Sequence, residues 1–481
     1  MSTAKKDFVV VANRLPVDVT VTVDEKGNEE LTWKRSPGGL VTALEPVMQA
    51  NDGAWVGWSG TADAELEPFE ANNMSLVPVP LSADEVADYY EGCANGTLWP
   101  LYHDVIVPPE FHREWWATYE RVNRRFAEAT IAAAAPGAMV WVHDYQLQLV
   151  PALVRKARPD VKIGFFDHIP FPPVEIFSQL PWRRQVIEGL LGSDLLGFQR
   201  AGDAANFLRA VRRFTNAPVR GQIVTVTEQE GGGSSATREV RAAPFPISID
   251  SAGFDSLARS QAISKRAKDI RRELGNPEVV LLGVDRLDYT KGIRHRLKAF
   301  SELLAEGRLT VPGAVLVQVA SPSRTRVEQY KVLRDDIELT VGRINGQYAA
   351  LGSPAVHYLH QSHPMEEMAA LYRASDVMLV TALRDGMNLV AKEYIAARYD
   401  GGGSLILSEF AGAADELTQA IRVNPHDIEA LKDSMMQAVE MERRAARRRM
   451  LAMRRRVMEH DVNKWADSFL AALGAGNGGT N

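Results

Sequence analysis

The strongest constraint on the fold is a regular alternation of short apolar runs with segments of helical periodicity. The apolar runs are rich in valine, leucine and isoleucine, and they include DFVVVANR, MVWVHDY, KIGFFD, LLGFQ, VVLLGVDR, GAVLVQVAS, DVMLV and GSLILS. Buried strands alternating with helices form parallel sheets that are covered on both faces. The sequence therefore predicts an α/β fold, built from two consecutive series that join near residue 245.

Other segments carry weaker patterns. We expect a helix over 112–135, an irregular aromatic segment over Asp88–His103 and a polar hairpin or mobile loop over 221–240. Pro244–Asp250 is predicted to be a short strand, and Leu431–Leu473 to be helical throughout. The arginine-rich run inside this last segment is typical of a nucleic-acid or membrane patch, but nearby glutamates favour a solvated helix face.

Composition excludes several classes of protein. The chain has 481 residues, 46% hydrophobic and 24% charged, with a formal net charge of −6. These values are those of a globular protein of two or three domains, and the negative charge argues against general binding to nucleic acid or anionic membranes. The single cysteine, Cys93, excludes an internal disulfide framework, and the chain shows neither a signal peptide nor a membrane-spanning run. We expect a cytoplasmic protein.

The stretch TALRDGMNLVAKE, residues 381–393, predicts a strand, a charged turn and a helix. Asn388 is a candidate N-cap, and the unpaired backbone N–H groups of a helix N-terminus can hold an anion. Asp385 is placed to bind a sugar hydroxyl, and Glu393 lies further into the helix. An ordinary strand–helix connection is the alternative. A second glycine turn, Gly38-Gly39, opens another predicted helix.

Two cations follow the predicted strand VVLLGVD. Arg286 leaves the strand and Lys291 begins the next helix, so together with the 381–393 turn they are suited to neutralise a diphosphate. A leaving diphosphate needs such charge stabilisation. The alternative is that both cations form surface salt bridges with Asp285 and Asp288.

A second anion site is indicated by Arg14 and Arg324, which end strands in different halves and are expected to face each other across a cleft. Tyr90, Trp58 and Trp99 are candidates for a wall on which a sugar ring stacks. Core packing is the alternative for Trp58.

His143, Asp144 and His168 follow two neighbouring predicted strands. They lack the ligand spacing typical of zinc, so we predict no metal site, and Asp144 is interpreted as a hydrogen-bond acceptor or weak base for a sugar hydroxyl.

Motifs spanning nearly the whole chain in order give a family resemblance: VVVANRLP, SPGGLVTAL, VGWSG, LWPLYH, WVHDYQLQLVP, HIPFPPVEIF, LLGFQ, VDRLDYTKGI, GRINGQY, LRDGMNLVAKEY and SEFAGAADEL. The chain resembles the trehalose-6-phosphate synthases, which are retaining glycosyltransferases. The resemblance implies the GT-B fold, in which two Rossmann-like domains face each other across a cleft and a C-terminal helix returns to the N-terminal domain. It implies an acceptor domain over 1–245, a nucleotide-sugar domain over 246–455 and a returning helix over 456–473. The last residues, GAGNGGTN, predict a disordered tail over 474–481.

The resemblance further implies that glucose is transferred from a nucleotide-glucose, such as UDP-glucose or ADP-glucose, to glucose 6-phosphate. The products are α,α-trehalose 6-phosphate and a nucleoside diphosphate, in the first step of trehalose biosynthesis. No cofactor or metal is implied, a homo-oligomer (dimer or tetramer) is expected, and a separate phosphatase is expected to act on the product.

The implied donor site is described by motif. Gly38 and Gly39 lie by the diphosphate, Arg286 and Lys291 bind it, and Asp385 and Glu393 contact the glucose and ribose. Backbone groups of Asn388, Leu389 and Val390 hold glucose and phosphate oxygens, His168 lies near the 6-hydroxyl of the donor, and the backbone of Ile344 lies by the base.

The implied acceptor site comprises Arg14, Tyr90, Trp99, Asp144 and Arg324, with Trp58 as a further wall. Retention in this family is usually explained by front-face attack, and no carboxylate pair suited to double displacement is apparent in the sequence. The residues implied to be catalytic are Asp144, His168, Arg286, Lys291 and Asp385.

One residue departs from the family pattern. Asp167 stands where the family usually has leucine, directly before His168. Its carboxylate is expected to raise the pKa of His168 or to repel the diphosphate, unless the side chain reaches solvent.

Two other functions are weighed. A related transferase acting on another phosphorylated acceptor, such as glycerol 3-phosphate, would lack this full set of acceptor residues. A catalytically silent sugar-phosphate-sensing subunit would not need the intact Arg286, Lys291, Asp385 and Glu393.

Overall fold

The structure is a computed structural model that describes residues 5–23, 29–35, 41, 44–45, 47–48, 51–71, 74–229 and 235–475. The chain divides into two compact units. The N-terminal unit comprises Met1–Pro246 together with Asn463–Asn481, and the C-terminal unit comprises Ile247–Val462. Gly38 and Gly39 of the predicted donor site, and 476–481 of the predicted tail, lie outside the described residues.

The described part of the N-terminal unit contains a ten-stranded sheet in the order β10-β11-β12-β9-β8-β7-β1-β4-β6-β5. Its strands are β1 (Lys6–Arg14), β4 (Ala54–Trp58), β5 (Phe69–Ala71), β6 (Met74–Pro78), β7 (Ala134–His143), β8 (Lys162–Phe166), β9 (Leu195–Phe198), β10 (Val219–Arg220), β11 (Ile223–Gln229) and β12 (Ser235–Pro244). The central strands are parallel, whereas both edges end in antiparallel pairs. A separate antiparallel hairpin joins β2 (Val17–Val23) to β3 (Glu29–Arg35).

The C-terminal unit contains a six-stranded parallel sheet in the order β15-β14-β13-β16-β17-β18. These strands are β13 (Val279–Arg286), β14 (Ala314–Ser321), β15 (Val356–Leu359), β16 (Val377–Val380), β17 (Ser404–Ser408) and β18 (Ile421–Val423). Most strand residues are buried, which is expected when helices cover both faces of a parallel sheet. The predicted α/β fold is therefore confirmed.

Helices connect the strands in both units. Those of the N-terminal unit are Ala83–Glu85, Trp99–Tyr102, Arg113–Ala133, Val150–Ala157, Val174–Phe177, Arg183–Leu190, Ala201–Phe214 and Val462–Gly474. Those of the C-terminal unit are Ser251–Arg259, Gln261–Glu273, Ile293–Ala305, Glu328–Tyr348, Met365–Ala374, Leu389–Ala397, Ile428–Glu440 and Arg443–Glu459. Short 3₁₀ turns cover Tyr145–Leu147, Tyr289–Lys291 and Gly412–Asp415. Across the described residues, no helix is long and apolar enough to cross a membrane.

The prediction of an irregular segment at Asp88–His103 is wrong. Val86–Leu98 forms a π-helix, which continues into the helix Trp99–Tyr102. Gly92 lets the ring of Trp115 approach closely, since an added Cβ would lie 2.6 Å from that ring. π-Helices are rare and frequently occur at functional sites. The glycines and aromatic residues of this segment predict an irregular structure, but here they form the wider turns of a π-helix.

Two further predictions need correction. Leu431–Leu473 is not helical throughout, because helices end at Glu440 and Glu459 and begin again at Arg443 and Val462. Pro244–Asp250 is not a separate strand, since β12 ends at Pro244 and the next six residues are irregular. Phe245 still donates its backbone N–H to the carbonyl of Phe198 at 2.7 Å, and Pro246, which follows, lacks the N–H that a sheet ladder needs. The predicted hairpin at 221–240 is confirmed by the antiparallel pairing of β11 and β12.

The arginine-rich helix is only partly a solvated face. Arg454 donates to Asp255 at 2.6 Å and Arg449 donates to the carbonyl of Gln419 at 2.8 Å, so both tie the helix to its own unit. Arg443, Arg444 and Arg448 are exposed, as predicted.

The C-terminal helix Val462–Gly474 packs on the sheet of the N-terminal unit, and residues 456–459 of the predicted returning helix belong instead to the helix Arg443–Glu459. The ring of Phe469 stacks on Trp141 with 4.6 Å between centroids, and Trp465 donates its indole N–H to the carbonyl of Phe245 at 3.1 Å. Gly164 and Gly197 make room for Phe469, because an added Cβ on either would lie 2.7 Å from that ring.

Candidate active site

The charged turn before the helix Leu389–Ala397 is joined to the turn after β13 by an ion pair. Nζ of Lys291 lies 2.6 Å from Oδ2 of Asp385, and both side chains are nearly buried. Nδ2 of Asn388 also donates to Oδ2 of Asp385, at 3.1 Å. An ammonium group has three N–H donors, so this contact leaves Lys291 able to bind further oxygens. The alternative, a surface salt bridge of Lys291 with Asp285 or Asp288, is not found among the ion pairs of the described residues.

Asn388 is the N-cap of the helix, as predicted. Its side-chain oxygen accepts from the N–H of Ala391 at 3.1 Å, and its φ of 77° lies in the left-handed region. Asparagine tolerates that region better than most residues. The turn is held in place by Gly412, where an added Cβ would lie 1.9 Å from the carbonyl oxygen of Gly386. Leu389 and Val390 begin the helix, so their backbone N–H groups belong to the first turn, where partners within the helix are lacking.

The carboxylate of Asp288, just after β13, lies among positively charged side chains. Arg324 donates to it at 2.7 Å, and Tyr330 donates to the same oxygen at 3.1 Å. Burial raises the pKa of Asp288, but Arg324, Arg286 and Lys291 outweigh this effect and lower the pKa to about 2. The carboxylate is therefore ionised, and three cations lie within its electrostatic reach. Arg286 ends β13 with an exposed side chain.

Arg296 organises this region and was missed by the sequence analysis. Its guanidinium is fully buried and lies 2.7 Å from Asp285, 2.9 Å from the hydroxyl of Thr381 and 3.2 Å from the carbonyl of Lys291. It thereby connects β13, the residue after β16 and the turn that carries Lys291. Four of the five N–H donors of Arg296 have hydrogen-bond partners. The sequence could not show this, because a buried arginine inside a helix has the same local pattern as an exposed one.

Glu393 is held by a second missed residue. The hydroxyl of Tyr372 donates to Oε2 of Glu393 at 2.9 Å. Burial raises the pKa of Glu393, and the hydrogen bond from Tyr372 opposes that shift. Ile344 lies inside the helix Glu328–Tyr348, with its side chain in the hydrophobic core of the C-terminal unit.

In the N-terminal unit, three of the predicted acceptor residues lie together. The guanidinium of Arg14 is 5.1 Å from the centroid of the Trp58 ring and donates to Asp18 at 2.7 Å. Trp58 in turn lies 6.1 Å from the ring of Tyr90. Trp58 is almost fully buried, so core packing accounts for most of its surface, whereas Arg14 and Tyr90 are half-buried.

Trp99 belongs to the same helical segment as Tyr90 and is connected to it through Asn95. The amide of Asn95 donates to the carbonyl of Tyr90 at 2.7 Å and accepts from the hydroxyl of Tyr145 at 2.8 Å. The ring of Tyr145 lies 5.7 Å from that of Trp99. Asn95 is a third residue that the sequence analysis missed.

Asp144 and His168 meet at the carboxyl ends of β7 and β8. Oδ1 of Asp144 accepts from the backbone N–H of His168 at 3.2 Å, and Asp144 has a φ of 75°, which is uncommon for a residue other than glycine. Behind them, Nδ1 of His143 lies 3.1 Å from Nε2 of His168.

The predicted effect of Asp167 on His168 is wrong. Asp167 is buried, it accepts a hydrogen bond from the backbone N–H of Ile169, and Asp144 and Asp203 lie within its electrostatic reach. Burial lowers the pKa of His168 to about 3. The carboxylate therefore does not make the imidazole more basic, and it does not reach solvent. Instead, burial raises the pKa of Asp167 well above its usual range, and Asp144 and Asp203 raise it further.

One group of three carboxylates in the described part of the chain has the spacing of a metal site: Glu302, Glu306 and Glu429. The ammonium of Lys432 contacts all three carboxylates and neutralises part of their charge. This cluster involves none of the residues described above.

Parallel sheets that bring cations, a helix N-terminus and carboxylates together at their strand ends are typical of enzymes that bind phosphorylated or nucleotide-linked ligands. Residues 6–475 match the profile of Glycosyltransferase family 20. The trehalose-6-phosphate synthase of Mycobacterium marinum is 59% identical over 471 residues, covering 97% of this chain and 93% of that protein. The chain therefore belongs to glycosyltransferase family 20, among the trehalose-6-phosphate synthases, and it is a glycosyltransferase.

Solved structures agree with this assignment. An E. coli structure described as bound with UDP-2-fluoro glucose has a TM-score of 0.86 and 33% identity, covering 97% of this chain and 98% of that chain. An α,α-trehalose-phosphate synthase (UDP-forming) from Burkholderia xenovorans, in complex with glucose-6-phosphate, has a TM-score of 0.86 and 31% identity, covering 97% of this chain and 99% of that chain. The fold is GT-B, with two Rossmann-like domains.

Proposed function

We propose that this enzyme transfers glucose from a nucleotide-glucose to glucose 6-phosphate, giving α,α-trehalose 6-phosphate and a nucleoside diphosphate. The observation that carries the proposal is the pairing of Lys291 with Asp385, beside Arg286 and at the start of the helix Leu389–Ala397. This arrangement offers positive charge to a diphosphate and a carboxylate to the sugar attached to it. The ligands described for the E. coli and Burkholderia xenovorans relatives fit the same two substrates.

The donor is assigned to the C-terminal part of the chain, residues 246–455. Arg286, Lys291 and the backbone N–H groups of Leu389 and Val390 bind the diphosphate. Asp385 and Asn388 bind glucose hydroxyls, Glu393 binds the ribose and Ile344 lies by the base. Gly38 and Gly39, which the resemblance implies lie by the diphosphate, are outside the described residues.

The acceptor is assigned to residues 1–245. Arg14 and Tyr90 bind the phosphate of glucose 6-phosphate, Trp58 and Trp99 border the sugar, and Asp144 accepts a hydrogen bond from one of its hydroxyls. Arg324 is the other predicted phosphate ligand, but it belongs to the C-terminal unit, where it pairs with Asp288. His168 binds the donor glucose. The helix that packs on this part of the chain is Val462–Gly474, which begins six residues later than the predicted 456–473.

The reaction proceeds with retention by front-face attack. The 1-hydroxyl oxygen of glucose 6-phosphate forms a bond to C1 of the donor glucose while the bond from C1 to the diphosphate oxygen breaks. The proton of the attacking hydroxyl passes to the departing phosphate oxygen. Lys291, Arg286 and the helix N-terminus stabilise the negative charge that grows on the diphosphate, so that no metal ion is required.

The test is an assay of the purified enzyme with glucose 6-phosphate and each of UDP-, ADP- and GDP-glucose. Nucleoside diphosphate release is followed, and the sugar product is identified by mass and by its lack of a reducing end. Release that depends on glucose 6-phosphate and yields a non-reducing disaccharide phosphate is expected. Equal release with glycerol 3-phosphate, or donor binding without turnover, would overturn the proposal.

A further inference from the structure

The buried histidine behind His168 has no role in the proposed function. His143 ends β7 with a fully buried side chain, and its Nδ1 lies 3.1 Å from Nε2 of His168. Its other ring nitrogen, Nε2, is buried and has no hydrogen-bond partner among the described residues. The only polar contact of the His143 ring within that part of the chain is therefore with His168.

Aromatic rings fix the positions of both imidazoles. Trp141 lies 4.7 Å from His143, and Phe166 lies 4.7 Å from His168. Trp465, from the C-terminal helix, lies 6.1 Å from His168. The two imidazole rings are themselves 5.3 Å apart and tilted by only 24°. Because these neighbours are bulky and apolar, neither ring can turn to find another partner without repacking.

Both imidazoles are neutral near pH 7. Burial lowers the pKa of His143 well below its ordinary value, and the neighbouring His168 lowers it further. Burial also lowers the pKa of His168, to about 3. A neutral imidazole has one N–H donor and one bare nitrogen acceptor, so one of the two facing nitrogens carries the shared hydrogen and the other accepts it.

The shared hydrogen belongs either to Nε2 of His168 or to Nδ1 of His143. The unpaired Nε2 of His143 decides between these two arrangements. If His168 were the donor, the hydrogen of His143 would be on Nε2, leaving a buried N–H group unpaired. If His143 donates from Nδ1, only a bare acceptor nitrogen is orphaned. Among backbone groups, orphaned buried N–H groups are rarer than under-satisfied carbonyls, and we take the ring nitrogens to follow the same order. The second arrangement is therefore favoured.

We infer that His143 is a positioning residue: its Nδ1–H donates to Nε2 of His168 and so places the hydrogen of His168 on Nδ1. His168 is partly exposed, and Nε2 is occupied by His143, so Nδ1–H is the group that it offers to a ligand. A ring N–H binds an oxygen acceptor, such as a sugar hydroxyl or a phosphate oxygen. This inference deepens the proposed function, on which its kinetic consequence rests.

The first test needs no activity. The folded enzyme, labelled with ¹⁵N at histidine, is examined by long-range ¹H–¹⁵N NMR at pH 7.5, and the His168 signals are assigned from a His168→Asn variant. We expect His168 to carry its hydrogen on Nδ1 and His143 to carry its own on Nδ1. A hydrogen on Nε2 of His168 overturns the inference, whatever reaction the enzyme catalyses.

The second test compares two variants of His143. In His143→Asn, the amide nitrogen takes the place of Nδ1 and can still donate, whereas His143→Leu fills the space without a donor. We expect about a tenfold rise of the KM for nucleotide-glucose in His143→Leu, and less than about a threefold change in His143→Asn, since one hydrogen bond contributes about that factor.

A merely structural role predicts the reverse order, because leucine preserves apolar packing better than asparagine. Equal donor KM values in the two variants, with both folded by circular dichroism, would also contradict the inference. If His143→Leu does not fold, the NMR experiment on the unsubstituted enzyme still shows which ring nitrogen of His168 carries the hydrogen.

Discussion

Nζ of Lys291 lies 2.6 Å from Oδ2 of Asp385, although 94 residues separate them in the chain. The contact joins the turn after β13 to the turn after β16, which are neighbouring strands of the parallel sheet. One charge of the proposed diphosphate site is thereby tied to the carboxylate proposed to bind the sugar. Under the proposed function, this ion pair would couple binding of the diphosphate to orientation of the glucose.

Replacing the cations of the donor site is expected to abolish most turnover. Lys291→Ala and Arg286→Ala each remove charge that stabilises the leaving diphosphate, so kcat is expected to fall by about 10²–10³. The measurement is steady-state release of nucleoside diphosphate at saturating glucose 6-phosphate. Lys298→Ala is the matched control, because Lys298 is exposed on the helix that follows Lys291. A kcat for Lys291→Ala equal to that of the control would exclude this role.

Removing the hydroxyl of Tyr372 is expected to weaken donor binding. Tyr372→Phe deprives Glu393 of its 2.9 Å hydrogen bond, and the loss of a hydrogen bond to a carboxylate corresponds to about a tenfold rise of the KM for nucleotide-glucose. The KM for glucose 6-phosphate is expected to stay unchanged. Tyr358→Phe is the control, since the Tyr358 hydroxyl has no hydrogen-bond partner within the described residues. Equal effects in the two variants would remove Tyr372 from the site.

Arg296 is expected to stabilise the C-terminal unit as well as the turn that carries Lys291. Arg296→Met leaves Asp285 buried without its cation, which is expected to cost about 3–5 kcal/mol of unfolding free energy. Chemical denaturation measures the loss. Arg294→Met, two residues away, removes an arginine that is half-exposed and pairs with Asp336, and is expected to change stability by less than about 0.5 kcal/mol. Similar losses in both variants would contradict the buried network.

Ionisation of the buried carboxyl group of Asp167 is expected to lower the free energy of unfolding as the pH rises. Its pKa is raised in the folded state, so the stability associated with its protonated form is complete below about pH 3.9, the unfolded value, and is lost as the pH rises towards the folded pKa. Asp167→Asn removes this loss. The variant is therefore expected to be more stable than the unsubstituted protein at pH 8, with a smaller difference at pH 4, as measured by denaturation at both values.

Asp160 supplies a control of opposite sign for that experiment. The guanidinium of Arg158 and the backbone N–H of Gly137 hold the pKa of Asp160 below its usual range. Its contribution is present above about pH 3.9 and is lost as the pH falls through the lowered pKa. Asp160→Asn is therefore expected to be less stable than the unsubstituted protein at pH 8. A pH-independent effect of Asp167→Asn would show that Asp167 is not titrating.

Local features of the site could be predicted from the sequence because they depend on neighbouring residues. The N-cap role of Asn388, the strand before it and the helix after it follow from turn chemistry and apolar periodicity over a dozen residues. The parallel sheets follow from the same alternation repeated along the chain. The irregular segment predicted at Asp88–His103 failed because glycine and aromatic content does not distinguish a loop from a π-helix whose glycines face Trp115.

Partners distant in sequence could not be predicted. Nothing local distinguishes Arg296, which is fully buried, from exposed Arg294, and nothing local shows that Arg324 pairs with Asp288. Asp167 appeared to act on its neighbour His168, yet residues adjacent along an extended segment point to opposite sides. The imidazole instead meets His143 from the next strand.

The sequence alone therefore determined the fold class, the family and the turns that carry the charged residues. Each of these depends on patterns within one segment, or on motifs that recur in order along the chain. Only the tertiary structure decided which carboxylate neutralises which cation, which acid is buried and which nitrogen of His168 is occupied. These outcomes depend on how strands 20 to 100 residues apart come together, because ion pairs and hydrogen bonds form only at distances near 3 Å.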